Sequence, residues 1–131
     1  MLTTKRAYEP AEPRDGQRFL VERLWPRGVR KEDLDADAWR KDVAPSTELR
    51  KWFGHRPDRW GDFQRRYRDE LDRNPDSWMP ILDAAKRGPV TLLYSAHDKD
   101  RNSARVLCEY IGDRVRRRAR RTRSKHRARR G

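Results

Sequence analysis

Cysteine is almost missing from this chain. Cys108 is the single thiol among 131 residues, which excludes an internal disulfide and, with it, the stapled secreted mini-domain class. Long apolar runs are missing too. No window approaches the roughly 20 apolar residues of a membrane-spanning helix, and Met1–Arg6 has no apolar stretch behind its charges of the kind a secretory leader carries. Histidine is thin. His55 and His126 stand alone, only His97 has a candidate polar partner beside it, and no spaced pair of His or Cys forms a metal-ligand pattern. The expectation is a reduced, cytoplasmic protein with no metal site, no cofactor and no membrane partner. Apolar residues make up only 34% of the chain against 42% charged, so a core has to rest on the 5 Trp, 4 Tyr and 3 Phe, which bury large areas from few positions. The length suits one domain.

The net charge of +13 is unevenly placed. Eleven of the 34 basic residues and none of the 21 acidic ones lie after Asp113, leaving residues 1–113 nearly neutral at +2. This predicts an α/β body over 1–113 and an Arg-rich tail over 114–131, either an extension of the last helix or disordered by like-charge repulsion. Arg116, Arg117, Arg118, Arg120, Arg121 and Arg123 are the candidate phosphate contacts. No aromatic is interleaved among them to stack on bases, so such a tail binds nucleic acid nonspecifically.

Within the body, periodicity and punctuation predict alternating strands and helices. Leu2–Tyr8 reads as a short strand and Arg18–Leu24 as a second, its continuous Phe-Leu-Val centre fitting a strand covered on both faces. That run is expected to leave its sheet at Trp25-Pro26, because proline lacks the ladder N–H. Helical spacing is weak between Val29 and Ala44. A short helix follows Ser46, which suits an N-cap. The next, with Trp60, Phe63, Tyr67 and Leu71 on one face, runs from after Pro57-Asp58 to Asn74-Pro75. A further helix spans 76–87, with Pro80 tolerable only in its first turn. Val90–Tyr94 is predicted to be a central strand. It is followed by a polar loop and a helix whose stripe holds Ala104, Leu107, Cys108 and Ile111. The fold class is therefore α/β: a small single domain with a mostly parallel or mixed sheet of three or more strands, flanked by helices, and a basic C-terminal tail.

In open α/β sheets ligands gather beyond the carboxyl ends of strands. Arg23, Trp25 and Arg27 follow the second strand, where guanidinium forks suit phosphate or carboxylate and an indole suits a planar group. Glu22 and Arg23 must either pair or face a cleft. Arg50, one turn into the helix after Ser46, either faces the same region or coats the surface. Ser46 lacks a Gly-x-Ser-x-Gly elbow and is explained by capping. Asp98 is a candidate general base or loop cap, expected within one ion pair or one bridging water of Arg23. The expected pocket takes a small anionic or phosphate-bearing ligand, with an enzyme of unnamed reaction as one reading. The alternative is nonspecific nucleic-acid binding through the tail. Nothing here sets the oligomeric state.

Blocks 18–28 (Arg-Phe-Leu-Val-Glu-Arg-Leu-Trp-Pro-Arg-Gly), 44–53, the Trp60/Phe63/Tyr67 helix and 90–98 (Val-Thr-Leu-Leu-Tyr-Ser-Ala-His-Asp) together resemble the YeaO-like branch of domain-of-unknown-function group 488, over nearly all of residues 2–112. The resemblance implies a small bacterial α/β domain and names no reaction. Where the wider group has a Glu after the last strand and a Cys-His-Arg at the next helix start, this chain has Ala96 and Arg101-Asn102-Ser103, which removes the thiol. Asp98 and Asn102 are the positions that match the YeaO-like loop.

Overall fold

The computed structural model describes the backbone of residues 1–130 and the side chains of 1–117 and Arg120. Four strands, β1 (Leu2–Arg6), β2 (Gln17–Leu20), β3 (Ala38–Trp39) and β4 (Val90–Tyr94), form one sheet in the order β1-β4-β2-β3, and every pairing is parallel. Parallel sheets require cover on both faces, and all five residues of β4 are buried. Helices α1 (Lys31–Leu34), α2 (Thr47–Phe53), α3 (Trp60–Arg73), α4 (Pro75–Arg87) and α5 (Ser103–Arg130) complete the chain.

The two faces are covered differently. Phe19, Val21, Val90, Leu92 and Tyr94 point into the main core against α2 to α5, where Phe63, Tyr67, Leu71, Ile81, Leu82, Leu107, Tyr110 and Ile111 meet them. Stacked rings of Phe53 and Phe63, 4.4 Å apart, join α2 to α3 and add about 0.5–1.5 kcal/mol beyond their buried area. The opposite face carries only Ala7, Leu20, Leu34 and Leu93, with Trp25, Val29 and Ala36 against them. Loops and the one turn of α1 do the covering there, where helices were expected on both sides.

Polar residues fill the rest of that face. Arg18, 3% exposed, donates to Asp15 at 2.6 Å and to the carbonyls of Leu34 and Asp35 at 2.7 and 3.2 Å. Lys5 donates to Asp15 and Glu12. Burial alone would raise the Asp15 pKa, but the Glu12 amide, Lys5 and Arg18 hold the carboxyl below its ordinary value. Gly16 closes this corner at φ +65°, where a Cβ would sit 2.2 Å from the Pro89 carbonyl, so only glycine fits the turn before β2.

Several boundaries differ from expectation. Pairing in β2 ends at Leu20, well before Trp25-Pro26, because Val21 makes the last bond to β4, through the Leu93 carbonyl. β1 stops at Arg6 rather than Tyr8. The 29–44 stretch gives the one turn of α1, the unpredicted edge strand β3 and a 3-10 turn over Lys41–Val43, each too short for periodicity to register. Pro80 lies inside α4, beyond its first turn, and so removes one helical bond. No helix among the described residues is long and apolar enough to cross a membrane.

Candidate functional site

β2 and β4 run in the same direction, and their carboxyl ends release residues 21–27 and 95–102 on the same side of the sheet. The exits are tied together. The Ser95 N–H and Oγ–H donate to the two carboxylate oxygens of Glu22 at 2.8 and 2.7 Å. Glu22 thus satisfies the first unpaired groups after β4. Beyond this tie opens a cleft of about 420 Å³, within the usual range for small-molecule sites.

Most of the cleft comes from four segments, with Tyr8 after β1, Ala44 and Pro45 before α2, and Phe63 of α3 completing it. The β2 exit contributes Glu22 to Arg27, the β4 exit Ser95 and Ala96, the start of α5 Arg101 to Ser103, and the end of α2 with its following turn Arg50, Lys51, Phe53 and His55. The last of these is held in an unusual backbone. Gly54 caps α2 in the left-handed region, and His55 follows at φ +56°, a conformation uncommon for a residue with a Cβ. Five cationic side chains, Arg23, Arg27, Arg50, Lys51 and Arg101, therefore line a cleft whose single carboxylate, Glu22, is already engaged.

Pairing among these cations is sparse. Arg23 donates to the Pro45 carbonyl at 3.4 Å, and its Nε is buried with no hydrogen-bond partner. Among the described residues Arg23, Arg27, Arg50 and Lys51 make no ion pair, and Arg101 pairs only with Asp98, at 3.5 Å. Buried guanidinium donors are ordinarily satisfied, so the Arg23 Nε is an open position.

Of the sequence-predicted ligand residues, Arg23, Trp25, Arg27, Arg50 and Asn102 line the cleft. Trp25 is fixed by its indole N–H, which donates to the Val29 carbonyl at 2.7 Å, and by an edge contact with Trp39 at 5.4 Å. Asn102 is engaged locally: its side-chain N–H groups donate to the Asp98 and Lys99 carbonyls, and its oxygen accepts from the Arg105 amide at the start of α5. Ser46 lies outside the cleft, in a smaller neighbouring recess with Glu70 and Arg73. Its Oγ accepts from the Leu49 amide and donates to Glu70, the cap expected of it.

Asp98 is not among the residues that line the cleft, and no ion pair joins it to Arg23 among the described residues. It accepts from the amides of Asp100 and Arg101. Those amides, with the Arg101 guanidinium and nearby His55, hold its carboxyl below the ordinary value, and a carboxyl held low is a poor general base near neutrality. Cys108 is remote, beside β1, and burial pushes its thiol up. Among the described residues no group of three or more His, Cys, Asp or Glu is placed to hold a metal ion.

Sequence reasoning passed over Lys51 and His55 and left Glu22 undecided between pairing and facing a cleft. Lys51 carried no signal. The Gly-His step after a helix did: a glycine C-cap followed by a short-range turn is where left-handed residues collect. In the tail, Arg116 pairs with Asp113 and Arg117 and Arg120 are exposed. Arg118, Arg121 and Arg123 lie outside the described side chains.

Known proteins resemble this chain over nearly its whole length. The family model described as the inactive DUF488-N3 subclade matches residues 1–128. The uncharacterized protein YeaO of Escherichia coli (strain K12) is 46% identical over 110 residues, covering 84% of this chain and 96% of the relative. The uncharacterized protein Rv3073c of Mycobacterium tuberculosis (strain H37Rv) is 40% identical over 109 residues, covering 83% and 92%. No solved structure matches the chain.

Proposed function

The chain belongs to the YeaO-like DUF488 family, within its inactive DUF488-N3 subclade, and from that premise we propose that it is a binding domain whose strand-end cleft holds a small anionic, phosphate-bearing ligand without transforming it. The observation that carries the reading is the convergence on one cleft of Arg23, Arg27, Arg50 and Lys51, none ion-paired among the described residues. Guanidinium and ammonium groups left unpaired at a concave site favour an anion, and arginine forks bind phosphate bidentately. The position beyond the carboxyl ends of parallel strands supports the same reading.

Two polar groups at the strand exits are already engaged, which favours binding over catalysis in this reading. Ser95 is held by Glu22 through both its amide and its hydroxyl, and the Asp98 carboxyl is oriented by backbone amides away from a general-base role. The direct experiment is a thermal shift with inorganic pyrophosphate on the full chain and on the double variant Arg23→Gln/Arg50→Gln. Stabilisation of the parent that is lost in the variant is expected. No shift in the parent overturns the reading.

A second reading rests on the tail, whose eleven basic residues and absence of acids suit nonspecific contact with nucleic-acid phosphates. The two readings divide the chain at about residue 113 and do not compete for residues.

A further inference from the structure

We infer that the ligand of the cleft is a nucleotide, a phosphate joined to a planar base, an inference that rests on the anion-binding reading above. Cations alone do not account for the cleft's composition. Tyr8, Leu24, Trp25, Pro26, Phe53 and Phe63 also line it, and a phosphate group by itself is several times smaller than the space they enclose.

The distribution of exposed apolar side chains points the same way. Among the described residues the large hydrophobics left exposed are Met1, Tyr8 at 48%, Leu24 at 65% and Trp39 at 36%. Met1 is terminal. Tyr8 and Leu24 line the cleft, and Trp39 packs edge-on against Trp25, which also lines it. Two of the four exposed large hydrophobics thus line the cleft and a third adjoins it, and apolar patches of this kind mark contact sites.

Apolar and cationic side chains are interleaved around the cleft: Arg23 and Arg27 flank Leu24 and Trp25 on the β2 exit, and Phe53 lies beside Arg50 and Lys51 on α2. Tyr8 comes from the β1 exit, His55 from the turn after α2, and Arg101 to Ser103 from the start of α5. Arg23, with its unpartnered buried Nε, follows β2 and reaches the Pro45 carbonyl just before α2. Aromatic and guanidinium groups side by side in one cleft suit a ligand that carries both a planar base and a phosphate. Tyr8 is held for this by its hydroxyl bond to the Arg27 carbonyl and by Arg6, which covers its ring at 5.0 Å.

The test is isothermal titration of the full chain with AMP, UMP, ribose 5-phosphate, adenosine and inorganic phosphate, repeated on Leu24→Ser and Arg23→Gln, with thermal melts to establish that both variants fold. Leu24 is mostly solvent-exposed, so its substitution leaves the core intact. Both nucleotides are expected to bind about tenfold tighter than ribose 5-phosphate, the order of one base-stacking contact, and tighter than adenosine. Leu24→Ser should weaken the nucleotides and leave ribose 5-phosphate unchanged; Arg23→Gln should weaken every phosphate compound. Ribose 5-phosphate binding as tightly as AMP, both weakened by Arg23→Gln, overturns the nucleotide and keeps the anion site. Binding by none of the phosphates overturns both. Nucleotide binding unchanged in the two variants assigns it to other residues and overturns the inference.

Discussion

Arg18 and Arg23 stand on the same short run of chain and meet opposite environments. Arg18 points to the loop-covered face, where an ionised carboxylate and two carbonyls surround it. Arg23, past the end of β2, has one long bond to a carbonyl and a buried Nε with no partner. The first arrangement is what closing a sheet face with polar residues demands, since a buried charge without partners costs several kcal/mol. The second belongs to a place where strands end and no backbone follows to accept the donors. Arg40 has an unpartnered buried Nε too, but it lies over the Phe19 ring and outside the cleft, so it is the position at the strand ends, together with the missing partner, that sets Arg23 apart from Arg18.

Breaking the paired side should have the largest effect. Arg18→Ala leaves Asp15 short of its closest cation and strips a donor from the Leu34 and Asp35 carbonyls, so unfolding by urea should show a loss of about 3–5 kcal/mol. A loss of the same size in Arg23→Ala would erase the distinction between the two arginines.

Deleting 114–131 should come next. Nucleic-acid affinity on two unrelated duplexes, followed by fluorescence anisotropy, should fall by about a hundredfold or more. Before deletion log K should decline against log salt with a slope near about −5, as for roughly six engaged phosphates. A shallow slope, or a preference for one duplex that survives the deletion, would move binding to the body.

A smaller effect is expected from acid. The folded pKa of Asp15 lies below its unfolded value, so its pairing contributes fully above the unfolded pKa of about 3.9 and is lost as pH falls through and below it. Melting temperature measured from pH 6 down to pH 3 should drop more steeply in the parent than in Asp15→Asn, which is less stable at pH 6 but has no proton to take up there. Parallel curves would mean that this carboxylate is not held by its partners.

The helices and the central strand were legible because their signals are local and repeated: Phe63, Tyr67 and Leu71 recur on one face of α3, and β4 is a run of apolar residues bounded by Gly88-Pro89 and a polar loop. β3 was not legible, since two residues cannot establish a period and its pairing with β2 is decided by tertiary contact. The cationic residues Arg23, Arg27 and Arg50 could be gathered from the strand-end rule alone. His55 was passed over: the Gly-His step signalled a left-handed turn after α2, but its arrival at the cleft depends on the path of α2 across the sheet end. Asp98 was drawn toward Arg23 by the same rule, but two nearby backbone amides and Arg101 were closer competitors.

The smallest effect should fall on the stability of the open side. Arg50 and Lys51 are exposed, neither is in an ion pair among the described residues, and both face a cleft already rich in positive charge. Replacing either with Gln removes no bond and relieves like-charge repulsion, which at exposed positions is worth only tenths of a kcal/mol. Urea unfolding without added anion should therefore place Arg50→Gln and Lys51→Gln within about 0.5 kcal/mol of the parent, as for surface substitutions generally. With pyrophosphate present, the parent should gain stability by mass action and the variants should gain less. Parent and variants would then separate only when ligand is added. A separation already present without it would mean that these side chains hold the fold together, and the cleft would lose its claim to be the open counterpart of Arg18.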